Sequence, residues 1–249
     1  MKFLDIVEKN GRKKLVIFGF IKISLGRSED SYKKHYYSQD GEDVLLDAFY
    51  ADKPDYKGFY VDIGAFHPLR FSNTQIFYEK GWRGINIDAT PGSMEEFQKL
   101  RPLDINIEAG ISDKQKELEY FSFEEPALNS FDKSISEERI ANGWKLKQTI
   151  KVKTYTINDI LEKPSPPNQL IDFISMDIEG LELSVLNTLD FEKFAPRFFL
   201  IEELNFVEKD FLYYEQSPVY RLLRSKGYIV VAKTMRTVIF AKSDMTNSR

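Results

Sequence analysis

Residues 58–65 read Gly58-Phe59-Tyr60-Val61-Asp62-Ile63-Gly64-Ala65, a short apolar run closed by glycine. Such a run predicts a strand buried on both faces. The pattern returns at Gly84–Asp88, Asp104–Gly110, Leu170–Met176 and Arg197–Glu203, which predict four more strands. Between them, helical spacing of apolar residues predicts helices over 72–80, 91–100, 182–189 and 218–226, with Pro91 suited to a first helical turn. Tyr228–Ala232 and Thr237–Ala241 stand too close for a crossover helix and are expected to pair antiparallel. The alternation predicts an α/β fold, a mostly parallel sheet with helices on both faces.

The pattern loosens over residues 111–150. A strand is expected at Glu117–Phe123, followed by a polar, irregular stretch through Asn129, Ser130 and Asn142-Gly143 of the kind that serves as a lid or binding loop. Lys151–Tyr155 reads as an edge strand. A short helix then runs from an N-cap at Thr156, with Asp159 three residues on, to Leu161. Residues 1–35 read as an N-terminal extension and 36–249 as one domain.

Composition narrows the function. Of the 249 residues, 42% are hydrophobic and 30% charged, which places the chain in the ordinary globular range. A net charge of -4 argues against nucleic-acid partners, which need a basic face. The chain has no cysteine, which excludes disulfides, thiolate zinc sites and cysteine nucleophiles. The apolar run Leu15–Ile21, behind Arg12, Lys13 and Lys14, is too short to span a bilayer and no small-residue cleavage site follows it. It is expected to form a packed helix or strand in a cytoplasmic protein, with membrane contact by residues 12–25 as the alternative.

Ligands of an open parallel sheet bind at the carboxyl ends of its strands. The first strand ends at Gly64, where a missing Cβ lets the backbone approach a ligand closely. The second ends at Asp88, a carboxylate placed to accept from both ribose hydroxyls of an adenosine or else to cap the helix after Pro91. The dinucleotide pattern GxGxxG is absent, because Ala65, Phe66, His67 and Pro68 follow Gly64. A cofactor without phosphates suits this turn better, and S-adenosylmethionine is one. The fourth strand runs into Asp177, Glu179 and Gly180, and the fifth ends Glu202-Glu203-Leu204-Asn205. Asp177 and Glu203 are expected to face one pocket. His67, one of two histidines, is a candidate general base near neutral pH.

These segments together resemble the FkbM family of S-adenosylmethionine-dependent O-methyltransferases. The resemblance runs over roughly residues 36–205, through Ser38-Gln39-Asp40-Gly41-Glu42-Asp43, Tyr60–Ala65, Gly84–Pro91, Ala109-Gly110-Ile111-Ser112-Asp113 and Phe173–Glu182. It departs at Asp88, where the family usually has glutamate; at Thr90, which separates Ala89 from Pro91; and at Ser175 or Met176, where a lysine often stands. The resemblance implies the Rossmann-like class I methyltransferase fold with seven strands, and methyl transfer to a hydroxyl of a small molecule or sugar, such as a nucleotide-linked sugar for cell-surface glycan. On this reading Asp62, Gly64, Ala65, Asp88 and Ala89 hold the cofactor, with Ser112 and Asp113 near its adenine. His67, Asp177 or Glu179 takes the hydroxyl proton. Tyr37 and Asn205 meet the substrate, with Tyr36 and Trp144 as further aromatic candidates. A divalent ion, Mg or Mn, would find oxygen and imidazole ligands in Asp177, Glu179, Glu203 and His67. Two rival readings are a nicotinamide-dependent oxidoreductase and a non-catalytic nucleoside-binding module.

Overall fold

The computed structural model describes residues 33–162, 170–203 and 214–243, and the backbone alone at 4–9, 12–17 and 21–27. The chain divides into two compact units, Met1–Tyr36 and Tyr37–Arg249. In the first, β1 (Leu4–Lys9), β2 (Arg12–Ile17) and β3 (Ile21–Arg27) pair antiparallel in that order. Leu15–Ile17 therefore closes one strand and Ile21 opens the next.

The second unit carries the sheet that the Gly58–Ala65 stretch predicts. Helix α1 (Glu42–Ala48) leads into β4 (Phe59–Ile63), α2 (Gln75–Glu79), β5 (Arg83–Asp88), α3 (Met94–Leu100) and β6 (Ile105–Glu108). Then come β7 (Gly110–Ile111), β8 (Lys116–Phe123), α4 (Lys133–Ala141), β9 (Leu146–Tyr155) and α5 (Ile157–Glu162). The rest is β10 (Phe173–Met176), α6 (Glu182–Leu186), β11 (Phe198–Glu202), α7 (Pro218–Ser225), β12 (Tyr228–Lys233) and β13 (Thr237–Lys242). Seven of these strands form one sheet in the order β12-β13-β11-β10-β4-β5-β6. All neighbours pair parallel except at β13, which runs against both β11 and β12.

Side chains alternate across this sheet with the period of two that a strand imposes. Val61 and Ile63 of β4, Ile174 and Met176 of β10, and Phe199 and Ile201 of β11 join the core under α5, α6 and α7. Tyr60, Phe173, Phe198 and Leu200, on the alternate positions, join a second core with Leu46 of α1 and Phe77 of α2. Helices on both faces thus follow from strands with apolar residues on both alternations.

Residues 111–150 are more regular than their polarity predicts. They fold as β8 paired antiparallel with β9, with α4 between them. β9 begins at Leu146, well before Lys151, and it lies in the middle of a sheet ordered β7-β9-β8, not at an edge. Its first half is largely solvent-exposed, so its polar residues carry no apolar alternation to mark a strand. The Thr156–Asp159 cap forms as its spacing predicts: the Thr156 amide donates to Asp159 Oδ2 (3.1 Å) and the Asp159 amide to Thr156 Oγ1 (3.1 Å).

One buried polar network ties β4, β5, α2 and α3 together. Arg101, fully buried, donates through Nε to Asp104 Oδ2 (2.9 Å), through Nη1 to Thr74 Oγ1 (3.0 Å) and through Nη2 to Asn86 Oδ1 (2.9 Å). Thr74 Oγ1 in turn donates to Asp62 Oδ2 (2.8 Å). Removing one partner of a buried ion pair leaves the other charged and dry, which costs about 3–5 kcal/mol. Arg101→Met is therefore expected to lower unfolding stability by about 3–5 kcal/mol in urea titration. A loss below about 1 kcal/mol would show that water reaches Asp104.

Candidate active site

The chain order of the sheet reverses at β4, whose neighbours are β5 on one side and β10 on the other. At such a switch point the loops leave in opposite directions and open a crevice above the carboxyl ends. Here that crevice is a cavity of about 290 Å³. Its floor includes Ile63, Gly64, Met176 and Asp177, and one flank holds Ile87, Asp88, Ala89, Thr90, Ala109 and Ile111.

Gly64 does two jobs. It sits at φ +81°, a conformation that side chains disfavour, and a Cβ there would lie 1.7 Å from the Asp177 carbonyl oxygen. Its amide and that of Ala65 both donate to the Ile87 carbonyl, at 2.9 and 3.0 Å. The glycine thus lets the end of β4 pass against the end of β10 while keeping its backbone open to the cavity.

Asp88 braces the turns on either side of it. Oδ2 accepts from the Phe66 amide (3.0 Å) and Oδ1 from the Thr90 amide (2.8 Å). Burial raises its pKa, against the amide bonds that favour the ionised form. Between these two turns its carboxylate lines the cavity.

The opposite wall is acidic. Asp177, Glu179 and Glu202 each place a carboxylate oxygen within 4.8 Å of the others. The second of the paired acids at the end of β11 is the one the sequence reading favours, yet the first is the one that joins Asp177. Ser175 of β10 pairs in register with Leu200 of β11, and continuing that register sets Asp177 beside Glu202. Alternation sends Glu203 to the other face, where it accepts from Ser217 Oγ (2.7 Å) and Tyr214 Oη (3.1 Å). Burial raises Glu179 to about 7 and Glu202 to about 11, and the charge of Asp177 adds to both. Arg139 of α4 counters this by donating to Glu179 Oε2 at 2.7 Å.

Strain gathers around the cavity. Phe66, Phe71 and Glu179 are the non-glycine residues with positive φ among those described, at +54°, +58° and +54°, and all three line it. Such backbone conformations persist only where the surroundings enforce them, and they concentrate at functional sites. At the rim, Arg70 stacks over Phe66 and Phe71 and pairs with Glu125 at 3.0 Å, joining the loop after β4 to the segment after β8.

The remaining expected site residues lie off this cavity wall. Asp62 is buried beneath it, bonded to Thr74, and burial lifts its pKa to about 6. Ala65 is buried with Met94 and Phe97. Ser112 is fully buried and donates to Thr154 Oγ1 (2.8 Å), while Asp113 pairs with Lys116 at 2.6 Å. Tyr37 donates its hydroxyl to Glu79 (2.6 Å). Tyr36 and Trp144 are exposed. Asn205 lies outside the described residues. His67 accepts the Leu69 and Arg70 amides at Nδ1, at 3.1 and 3.0 Å. Sequence reading missed Glu202, Arg139, Arg236, Tyr120 and Asn129, all of which line the cavity.

A sheet of this order, with β13 reversed and a cavity above the β4–β10 switch point, is the Rossmann-like architecture of class I methyltransferases. The family model for the methyltransferase FkbM domain matches residues 62–230, more than half of the chain, and the protein belongs to that family. Among solved structures, methyltransferase FkbM from Methylobacillus flagellatus KT matches at 14% identity and a TM-score of 0.43, over 75% of this chain and 44% of that one. The chain thus spans less than half the length of that protein. Aeropyrum pernix fibrillarin, solved with natively bound S-adenosyl-L-methionine, matches at 9% identity and a TM-score of 0.42, over 96% and 99% of the two chains. Likeness at this level decides nothing about chemistry. No curated protein matches the sequence. Among the described residues no helix is long and apolar enough to cross a membrane.

The buried acids set a pH dependence. Asp62, Glu179 and Glu182 rise to about 6, about 7 and about 8, each chiefly by burial. An acid whose folded pKa exceeds its unfolded value favours the fold in its protonated form. Its contribution is full below the unfolded pKa and is lost as pH rises through the folded one. The thermal midpoint in chelator is therefore expected to fall between pH 5.5 and 8.5; a flat or rising profile over that window would contradict these assignments.

Proposed function

We propose that the protein is an S-adenosylmethionine-dependent O-methyltransferase acting on a hydroxyl of a small molecule or sugar. The observation that carries this reading is the charge of the cavity wall. Asp40, Glu42, Asp88, Asp177, Glu179 and Glu202 line it against Arg139 and Arg236. Both guanidiniums are already engaged, Arg139 with Glu179 and Arg236 with Asp40 at 2.8 Å. A wall with this acid excess attracts a cationic ligand and repels the pyrophosphate of a dinucleotide. S-adenosylmethionine, with its sulfonium and ammonium groups, suits it on charge.

The residues present also fit the rest of that cofactor. Ile87, Ala89, Ala109, Ile111 and Tyr120 offer apolar surface for an adenine, and Asp88 stands between them and Gly64 to accept from ribose hydroxyls. When bound, the cofactor supplies an activated methyl group on its sulfonium. The protein must then orient an acceptor oxygen and take its proton. Asp177 is the group for that step: it opens to the cavity at the end of β10. Phe66, Phe71 and Arg70 close the rim and limit water. The acceptor class rests on the family, and the net charge of -4 favours a small molecule over nucleic acid.

Titration calorimetry with S-adenosylmethionine and S-adenosylhomocysteine tests the reading. Wild-type protein is expected to bind with micromolar affinity. Asp88→Ala removes charged hydrogen bonds of about 1.5–3 kcal/mol, a loss of about ten- to a hundredfold in affinity. Absence of binding to wild type would sink the proposal, and unchanged affinity in the variant would remove Asp88 from the ribose site.

A further inference from the structure

The acid cluster on the cavity wall holds one group that the fold leaves unsatisfied. Glu202 is 9% exposed, and its Oε2 is buried with no hydrogen-bond partner. An unpartnered buried carboxylate oxygen costs free energy unless a ligand completes it. Asp177 and Glu179 place oxygens within 4.8 Å of Glu202, and all three face the cavity. These are separate observations: a geometric cluster of hard ligands, and an open acceptor inside it.

The geometry points to a binding site for a hard divalent cation, Mg²⁺ or Mn²⁺, on Asp177, Glu179 and Glu202. Carboxylate oxygens suit such ions, and Mg²⁺ sites commonly use a few carboxylates and keep several waters, which the open cavity admits. The set differs from the one the sequence suggested. Glu202 replaces Glu203, which is turned to the other face and bonded there to Ser217 and Tyr214. His67 is outside it, held by the amides of its own loop. Arg139, paired with Glu179, is the local competitor for one ligand; Asp177 and Glu202 have no ion pair among the described residues.

Mn²⁺ titrated into the full chain without methyl donor, followed by the electron paramagnetic resonance signal of the free ion, tests this directly. One saturable site per chain is expected, displaced by Mg²⁺. Glu202→Gln and Asp177→Asn should each weaken it at least tenfold, while the exposed Glu124→Gln leaves it unchanged. Absence of a saturable site in wild type overturns the inference. So does wild-type affinity in Glu202→Gln. Circular dichroism melting checks each variant, and should Glu202→Gln not fold, Asp177→Asn decides by the same tenfold criterion. Because no cofactor enters the titration, the cation site and the methyl-transfer reading fail independently.

Discussion

Everything above the sheet depends on how closely the ends of β4 and β10 approach each other. The Asp177 amide donates to the Ile63 carbonyl at 2.9 Å, and the Asp177 carbonyl occupies the space where a side chain at residue 64 would begin. Only glycine permits that contact at φ +81°. The same crossing points the Asp177 side chain into the crevice and holds it near Glu202, whose strand pairs with β10 in parallel register. Cofactor turn and acid cluster are therefore two consequences of one backbone contact. A residue that reads from sequence as a cofactor glycine is equally a packing glycine.

Burial under this crossing explains the electrostatics of the site. Asp62 hangs below the cavity floor on the face that Arg101 anchors, so its charge is partly met by a guanidinium reached through Thr74. Asp177, Glu179 and Glu202 sit above the strand ends, and among the described residues Arg139, on Glu179, is their one ion-pair partner. The two layers of acid thus differ in purpose. The lower one is satisfied by the fold and stiffens it; the upper one is left short of positive charge and faces the space where a ligand would come.

The extent to which this was legible in the sequence follows from the range of each interaction. Apolar runs closed by glycine or an acid mark β4, β5 and β10 because burial on both faces puts apolar residues on both alternations. The Thr156–Asp159 cap and the β12–β13 pair were legible because their signals lie within a few residues. Glu202 was not, because choosing it over Glu203 needs the register of β11 to a single residue, and adjacent acids look alike until the strand face is known. The Arg101 network was hidden for another reason. Its partners at 60, 62, 74, 86 and 104 are polar residues scattered through apolar strands and loops, and nothing local announces that they converge. β9 was half seen, since its exposed first half carries no apolar face.

Arg139 bears on how the site distinguishes ligands. It comes from α4, inside the segment between β8 and β9 that stands outside the seven-stranded sheet, and it reaches across to Glu179, whose own backbone is held at φ +54°. Its Nη1 also donates to the Leu128 carbonyl at 2.7 Å, in the turn that closes over the cavity. One guanidinium therefore joins the covering segment to the acid cluster. A cationic ligand entering near Glu179 competes with Arg139 for that carboxylate, and weakening that pair loosens the tie to residue 128. The same guanidinium is thus shared between a backbone carbonyl of the covering segment and a carboxylate of the candidate site.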